Sequence, residues 1–283
     1  MSRFKINFQL RELDEIVPWG QEPHLSLHWF GLTDGFLWLD AGAQTIYEYN
    51  GAAREYFGSS LHYNEYQISR FLEDFFGVFR FVGEAVPEEL YDRLDRFDAK
   101  LEKWQERHWD EEDEVYEQFY YEEYCGLGQW RWDRTLDSGH LVGGPLIGFF
   151  RCGERLKILW ESTFRLENGE SIWTAPKGSF ELSYDEFVSA ATEFFHSFFV
   201  AMEQQVKAAA AKEWGSVSLD KQRLLEEQEE RRAGFAKDLS FLTSPGGNTD
   251  WDNVRRLCSK MEKELKGAEE GIEKIDKIEK EVL

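Results

Sequence analysis

Four groupings in the sequence bring together residue types that can do chemistry. His24 and His28 stand four apart across an expected strand and so share a face, but no Asp or Glu accompanies them at ligand spacing, which leaves a metal or catalytic role without its third member. Asp137-Ser138-Gly139-His140 holds all three residue types of a hydrolase triad within four positions. Triad partners must converge from separate elements, whereas residues this close form a capped turn. Cys125, beside Gly126 and Gly128, would need a distant His to act as a nucleophile, and no signature of a thiol enzyme surrounds it, so an inert thiol is expected.

The fourth grouping is acidic. It runs through Asp110, Glu111, Glu112, Asp113 and Glu114 and on to Glu117, Glu122 and Glu123, with no Lys or Arg between Asp110 and Glu123. Blocks of like charge are ordinarily solvated, and a solvated helix end is one reading of this one. What sets it apart is the interleaved Val115, Tyr116, Phe119, Tyr120, Tyr121 and Tyr124. Aromatic anchors inside a negative field suit a surface that captures a basic protein, with carboxylates steering approach and Tyr supplying contact area. Asp110, Glu111, Glu112, Asp113, Glu114, Tyr116, Glu117, Phe119 and Tyr120 are therefore the expected partner-binding residues. Chelation of a hard cation is a third reading, but the Gly and the spacing of a calcium loop are missing.

The elements that must position these groups read as two β sections, each followed by helices. Phe4, Ile6, Phe8 and Leu10 alternate with polar residues as in a half-buried strand. Thr33-Asp34-Gly35 lies between the apolar runs Leu25 to Leu32 and Phe36 to Leu39 and predicts a hairpin; Gln44 to Asn50 predicts the next strand. Ile68, Leu72, Phe75, Phe76 and Phe79 then follow helical spacing, as do Leu90, Leu94, Phe97, Leu101 and Trp104 after Pro87. The second β section runs from about Gln129 to Leu182. It includes a short strand carrying Trp130 and Trp132, and a hairpin of Leu146 to Arg151 with Leu156 to Glu161. Ser183 and Glu186 have the spacing of a capping box, so a long helix should start at Tyr184 and run to Ala211. Beyond Gly215 the chain turns polar. A helix over Leu219 to Leu242 precedes Ser244-Pro245-Gly246-Gly247-Asn248, after which Val254, Cys258, Met261, Leu265, Ala268, Ile272, Ile275 and Val282 follow a coiled-coil seam. The expectation is an α+β domain with antiparallel sheet over 1–214 and an antiparallel helical hairpin over 215–283.

Composition narrows the function classes. The 283 residues carry 55 acidic side chains against 33 Lys plus Arg, a formal charge of −22, with 42% hydrophobic and 16% aromatic content. That is ample for a core and excludes wholesale disorder. The acidity argues against a direct nucleic-acid partner, because phosphate recognition needs clustered Lys and Arg. Gly143-Gly144-Pro145 lacks the downstream Lys and third Gly of a phosphate loop, and neither a cofactor nor a metal is expected. Cys125, Cys152 and Cys258 make no disulfide framework, the N-terminus shows no secretory apolar segment, and Phe194 to Met202 is too short to span a bilayer, so a cytoplasmic location without membrane attachment is expected.

Pro18-Trp19-Gly20 with Leu27-His28-Trp29-Phe30-Gly31-Leu32-Thr33-Asp34-Gly35 resembles the opening of an uncharacterised family of bacterial proteins, a domain of unknown function. Thr174-Ala175-Pro176-Lys177-Gly178, Glu186-Phe187 and Ala201-Met202-Glu203-Gln204-Gln205-Val206 extend the likeness, which covers roughly residues 3 to 207 and leaves the helical tail as an addition. The resemblance implies a bacterial, cytoplasmic setting and no catalytic residues. By analogy at the level of class, small acidic bacterial proteins of this kind are often immunity partners of toxins.

The leading expectation is thus an acidic immunity protein, not an enzyme, that covers the active site of a basic toxin. One alternative is a hydrolase or transferase with a site built from His28, Asp34, Asp137 and His140. Another is an adaptor that assembles through its C-terminal helices.

Overall fold

The alternation at the N-terminus forms strand β1 (Phe4–Leu10), which pairs antiparallel along the whole of β2 (Asp34–Ala41). Every second residue of β2 is buried, so one face of this sheet is core. On its other edge β2 pairs with β3 (Gln44–Ile46) near its end and with β4 (Asn64–Gln67) near its start. A computed structural model describes residues 4–58, 60–109 and 113–282, with backbone alone for 268–282. Within it the chain forms two compact units, residues 1–85 with 134–247, and residues 86–133 with 248–283.

In the first unit, helix α1 (Gly51–Tyr56) lies between β3 and β4 along the chain, and α2 (Ile68–Gly77) and α3 (Phe79–Val82) follow β4. The second sheet is an antiparallel meander of β5 (Thr135–Asp137), β6 (Leu146–Cys152), β7 (Arg155–Glu161) and β8 (Lys177–Ser183). Ser183 then caps α8 (Tyr184–Ala211) through the expected capping box, its hydroxyl accepting from the Glu186 N–H while Glu186 returns to the Ser183 N–H. The Phe ladder of α8 reaches both sheets. Phe187 stacks on Phe4 at 5.9 Å and meets Phe149 at 5.5 Å, and Phe194 and Phe198 close edge-on over Phe8.

The second unit is helical. Helices α4 (Glu88–Tyr91) and α5 (Leu94–His108) bury Leu90, Leu94, Phe97, Leu101 and Trp104, the stripe that spacing predicted. Then come α6 (Glu114–Phe119), a π-helical turn (Tyr120–Tyr124) and α7 (Cys125–Trp132). The chain re-enters this unit as α10 (Trp251–Val282), which packs Val254, Leu257, Cys258 and Met261 against α5 and α7. Trp130 joins the two chain segments, 5.2 Å from Phe97 and 5.7 Å from Trp251. Glu264 accepts from the Trp104 indole N–H at 2.7 Å and lies 3.1 Å from His108 Nε2.

The architecture is α+β with antiparallel sheets, as the pattern implies, and four local expectations change. The strand expected over Gln44 to Asn50 ends at Ile46, after which Tyr47 takes a φ of 68°. Thr33-Asp34-Gly35 is not a hairpin, because Gly31–Thr33 form a single 3-10 turn that leads into β2. Gly35 is needed for close approach, since a Cβ there would meet the Gln9 carbonyl oxygen at 2.3 Å. Trp130 and Trp132 lie on α7, where Trp130 faces the core and Trp132 is exposed. Two helices follow residue 215 as expected, but the chain does not divide at 214/215. Helix α9 (Lys221–Ser240) packs on α8 and α2 in the first unit, placing Phe235 5.4 Å from Phe76, whereas α10 belongs to the second. The reason is polar as well as apolar, for the fully buried Trp29 donates its indole N–H to Gln228 of α9 at 2.6 Å.

Candidate functional site

The acidic, aromatic stretch folds onto one side of the second unit. Asp113 is the N-cap of α6, its carboxylate accepting from the Val115 N–H at 2.8 Å. Phe119 is the anchor, buried under the edge of Trp104 at 4.9 Å and stacked on His108 at 4.1 Å. Glu123 is neutralised by Lys260. These three residues hold the surface in place. Asp110, Glu111 and Glu112 lie outside the described residues.

What faces water is a different subset. Trp109, Val115 and Tyr121 are 55%, 67% and 72% exposed. Between them Tyr116 leans on Trp109 at 5.2 Å and accepts from the Gln105 side chain at 3.0 Å, and Tyr120 stacks on Tyr124 at 5.3 Å. Both rings are therefore pre-set rather than free to rotate. The Tyr120 hydroxyl titrates above its ordinary range because Cys125 lies beside it and burial adds to the effect. Glu114, Glu117 and Glu122 are exposed, and no Lys or Arg among the described residues pairs with them. The π-helical turn lies in the middle of this surface; such bulges recur at functional positions because they re-aim side chains. Trp109 was absent from the sequence-derived set, although it sits one residue before the acidic run.

The other grouping lies in the first unit. Asp137 accepts from the Gly139 N–H at 2.8 Å and the Leu141 N–H returns to the Ser138 carbonyl, so Asp137-Ser138-Gly139-His140 is the capped turn that its spacing suggests. Ser138 is fully buried and its hydroxyl lies 2.5 Å from that of Tyr47, so it is not presented to His140 as a nucleophile. His140 Nδ1 lies 3.8 Å from Asp74 Oδ2. Burial, and then the charge of Arg70, hold His140 below its ordinary value, while burial raises Asp74 against the opposing charge of Arg70. Asp137 and His140 stand in the same turn, three residues apart in sequence.

The rest of that proposed set is engaged elsewhere. His28 packs against the edge of Trp19 at 4.6 Å, and Asp34 pairs with Arg11 at 3.4 Å. His24 is exposed in a turn. Cys125 is half-buried, and among the described residues no group of three His, Cys, Asp or Glu is placed to hold a metal ion. Nor is any described helix long and apolar enough to cross a membrane.

A family model described as a family of unknown function (DUF5984) matches residues 5–257. The match does not stop near residue 207 but takes in α9 and the start of α10, consistent with the bond from Trp29 to Gln228 that makes α9 part of the first unit. No curated protein and no solved structure matches the chain.

Proposed function

The chain belongs to this family of unknown function, and from the geometry of its own surface we propose that it is a binding protein that captures a basic protein partner through α6 and the π-helical turn. One observation carries the reading: three exposed apolar side chains, Trp109, Val115 and Tyr121, stand in the same stretch of chain as the exposed carboxylates Glu114, Glu117 and Glu122, with which no Lys or Arg among the described residues pairs. Carboxylates that are spent on caps or internal ion pairs cannot steer a partner, and among the described residues these three are in no such cap or pair. Rigid aromatics in their midst supply the area that sets residence time. The formal charge of −22 favours a basic partner over an acidic one.

Within that reading the partner class is a basic toxin domain, and the role is that of an immunity protein that acts in the cytoplasm by covering the toxin's active site. The test is association kinetics with the captured partner. Glu114→Lys, Glu117→Lys and Glu122→Lys combined should slow association about tenfold or more at low salt and much less at high salt. An unchanged rate at low salt removes the assigned role. Asp113 is left intact because its replacement would uncap α6.

A further inference from the structure

A cavity of about 310 Å³ opens on the first unit, and none of the residues assigned to partner capture lines it. Its lining combines the aromatic Tyr49, Phe57 and Tyr66 with the aliphatic Leu61, Leu141 and Val142, and its polar groups are Arg54, Asn64, Glu65 and His140. That composition and size match a small-ligand site rather than a packing defect. Tyr49 is held flat against Trp173, with ring centroids 4.8 Å apart, so one aromatic wall is already fixed.

Behind the cavity stands a strained residue. Tyr47 has φ of 68°, in the left-handed region that a bulky side chain seldom adopts, and it is buried. Its carbonyl accepts from the N–H of Asn64, on one wall, at 2.9 Å, and its hydroxyl meets Ser138 in the turn that carries His140, on another. Strain of this kind persists where surrounding contacts over-determine it, and it concentrates at ligand sites. Further back, His140 Nδ1 is buried without a hydrogen-bond partner among the described residues, 3.8 Å from Asp74 Oδ2, which is itself held by Arg70 Nε at 3.0 Å.

The charges decide the class of ligand. Glu65 is already bound by Arg11, a guanidinium it shares with Asp34. Arg54 meets only the imidazole of His62, at 2.9 Å, and no carboxylate among the described residues pairs with it. An unneutralised guanidinium at the mouth of an aromatic cavity, in a chain this acidic, is suited to an anion. We propose that the cavity binds a small ligand with a planar apolar body and a carboxylate, the body lying among Tyr49, Phe57 and Tyr66 and the carboxylate on Arg54, with His140 as a further polar contact.

The test uses the full chain with benzoate and indole-3-acetate as probes, and benzamide and benzyltrimethylammonium as the neutral and cationic comparisons, read by ligand-observed NMR and calorimetry. A carboxylate probe is expected to bind with a Kd of about millimolar. Arg54→Gln should weaken it about tenfold while leaving benzamide unchanged, and Tyr66→Ala should weaken both. Arg54 and Tyr66 are partly exposed, and an unchanged thermal midpoint establishes that each variant is folded. Preference for the cation, failure of both carboxylates to bind at about 20 mM, or equal binding by wild type and both variants overturns the proposal. A charge-reversed α6 surface should bind the probes like wild type, which separates this site from the partner surface.

Discussion

Replacing Gln228 by Leu probes how the first unit is held together. Trp29 is fully buried and its indole N–H has Gln228 Oε1 as acceptor at 2.6 Å, across 199 positions of sequence. Leu preserves much of the volume and removes the acceptor, leaving the donor buried and unpaired, a defect that costs about 1–3 kcal/mol. Arg231 stays over the Trp29 ring, 5.1 Å from its centroid, so the stacking contribution is retained. In a unit of about 200 residues each kcal/mol moves the thermal midpoint about 2–4 °C, so Gln228→Leu should lower it by about 2–12 °C. Urea unfolding of the wild type, Gln228→Leu, Trp29→Phe and the double variant completes a cycle, in which the two singles should be non-additive by about 1–2 kcal/mol. A Gln228→Leu protein within about 0.3 kcal/mol of wild type, or strict additivity, refutes the docking of α9 through this bond.

Other outcomes follow from particular groups. Burial, with Glu262 adding, pushes the Cys258 thiol up to about 11, so at pH 8 iodoacetamide should label Cys125 and Cys152, both half-buried, well before Cys258; mass mapping of the adducts checks it. Burial alone would raise Glu264, but the hydrogen bonds from Trp104 and His108 and the charge of Lys260 hold it below its ordinary 4.5. Its contribution to stability is therefore present above that value and lost as pH falls through the lower folded value, and Glu264→Gln should flatten the acid limb of a pH series of urea midpoints. Ser183→Ala removes one half of the capping box of α8 and should cost about 1 kcal/mol in chemical denaturation.

Features that depend on neighbours in sequence were legible before the fold was. Ser183 and Glu186 specify the start of α8 because a capping box spans only four positions, and the α5 stripe follows from spacing alone. Where tertiary contact decides, the pattern misleads. Thr33-Asp34-Gly35 has the composition of a hairpin, yet Gly35 is there because β1 and Ile68 crowd its Cβ position. Trp130 and Trp132 alternate as on a strand, yet the turns before them continue a helix. The polar face of α9 hides a buried contact to Trp29, and no local signal reports a partner so distant.

The candidate surface was legible as composition but not as roles. Asp113 caps α6, Phe119 is buried and Glu123 pairs with Lys260, roles that only the fold reveals, while Glu114 and Glu117 are exposed and Tyr116 and Tyr120 half-buried. The cavity beside His140 left almost no trace, since neither the positive φ of Tyr47 nor the approach of Asp74 follows from periodicity.

The central claim is tested most directly by affinity capture from the native cell with two baits, the wild-type chain and the Glu114→Lys, Glu117→Lys, Glu122→Lys variant, followed by quantitative mass spectrometry. A basic protein enriched on the wild type and lost on the variant is the predicted result. The same proteins in the same amounts on both baits would contradict it.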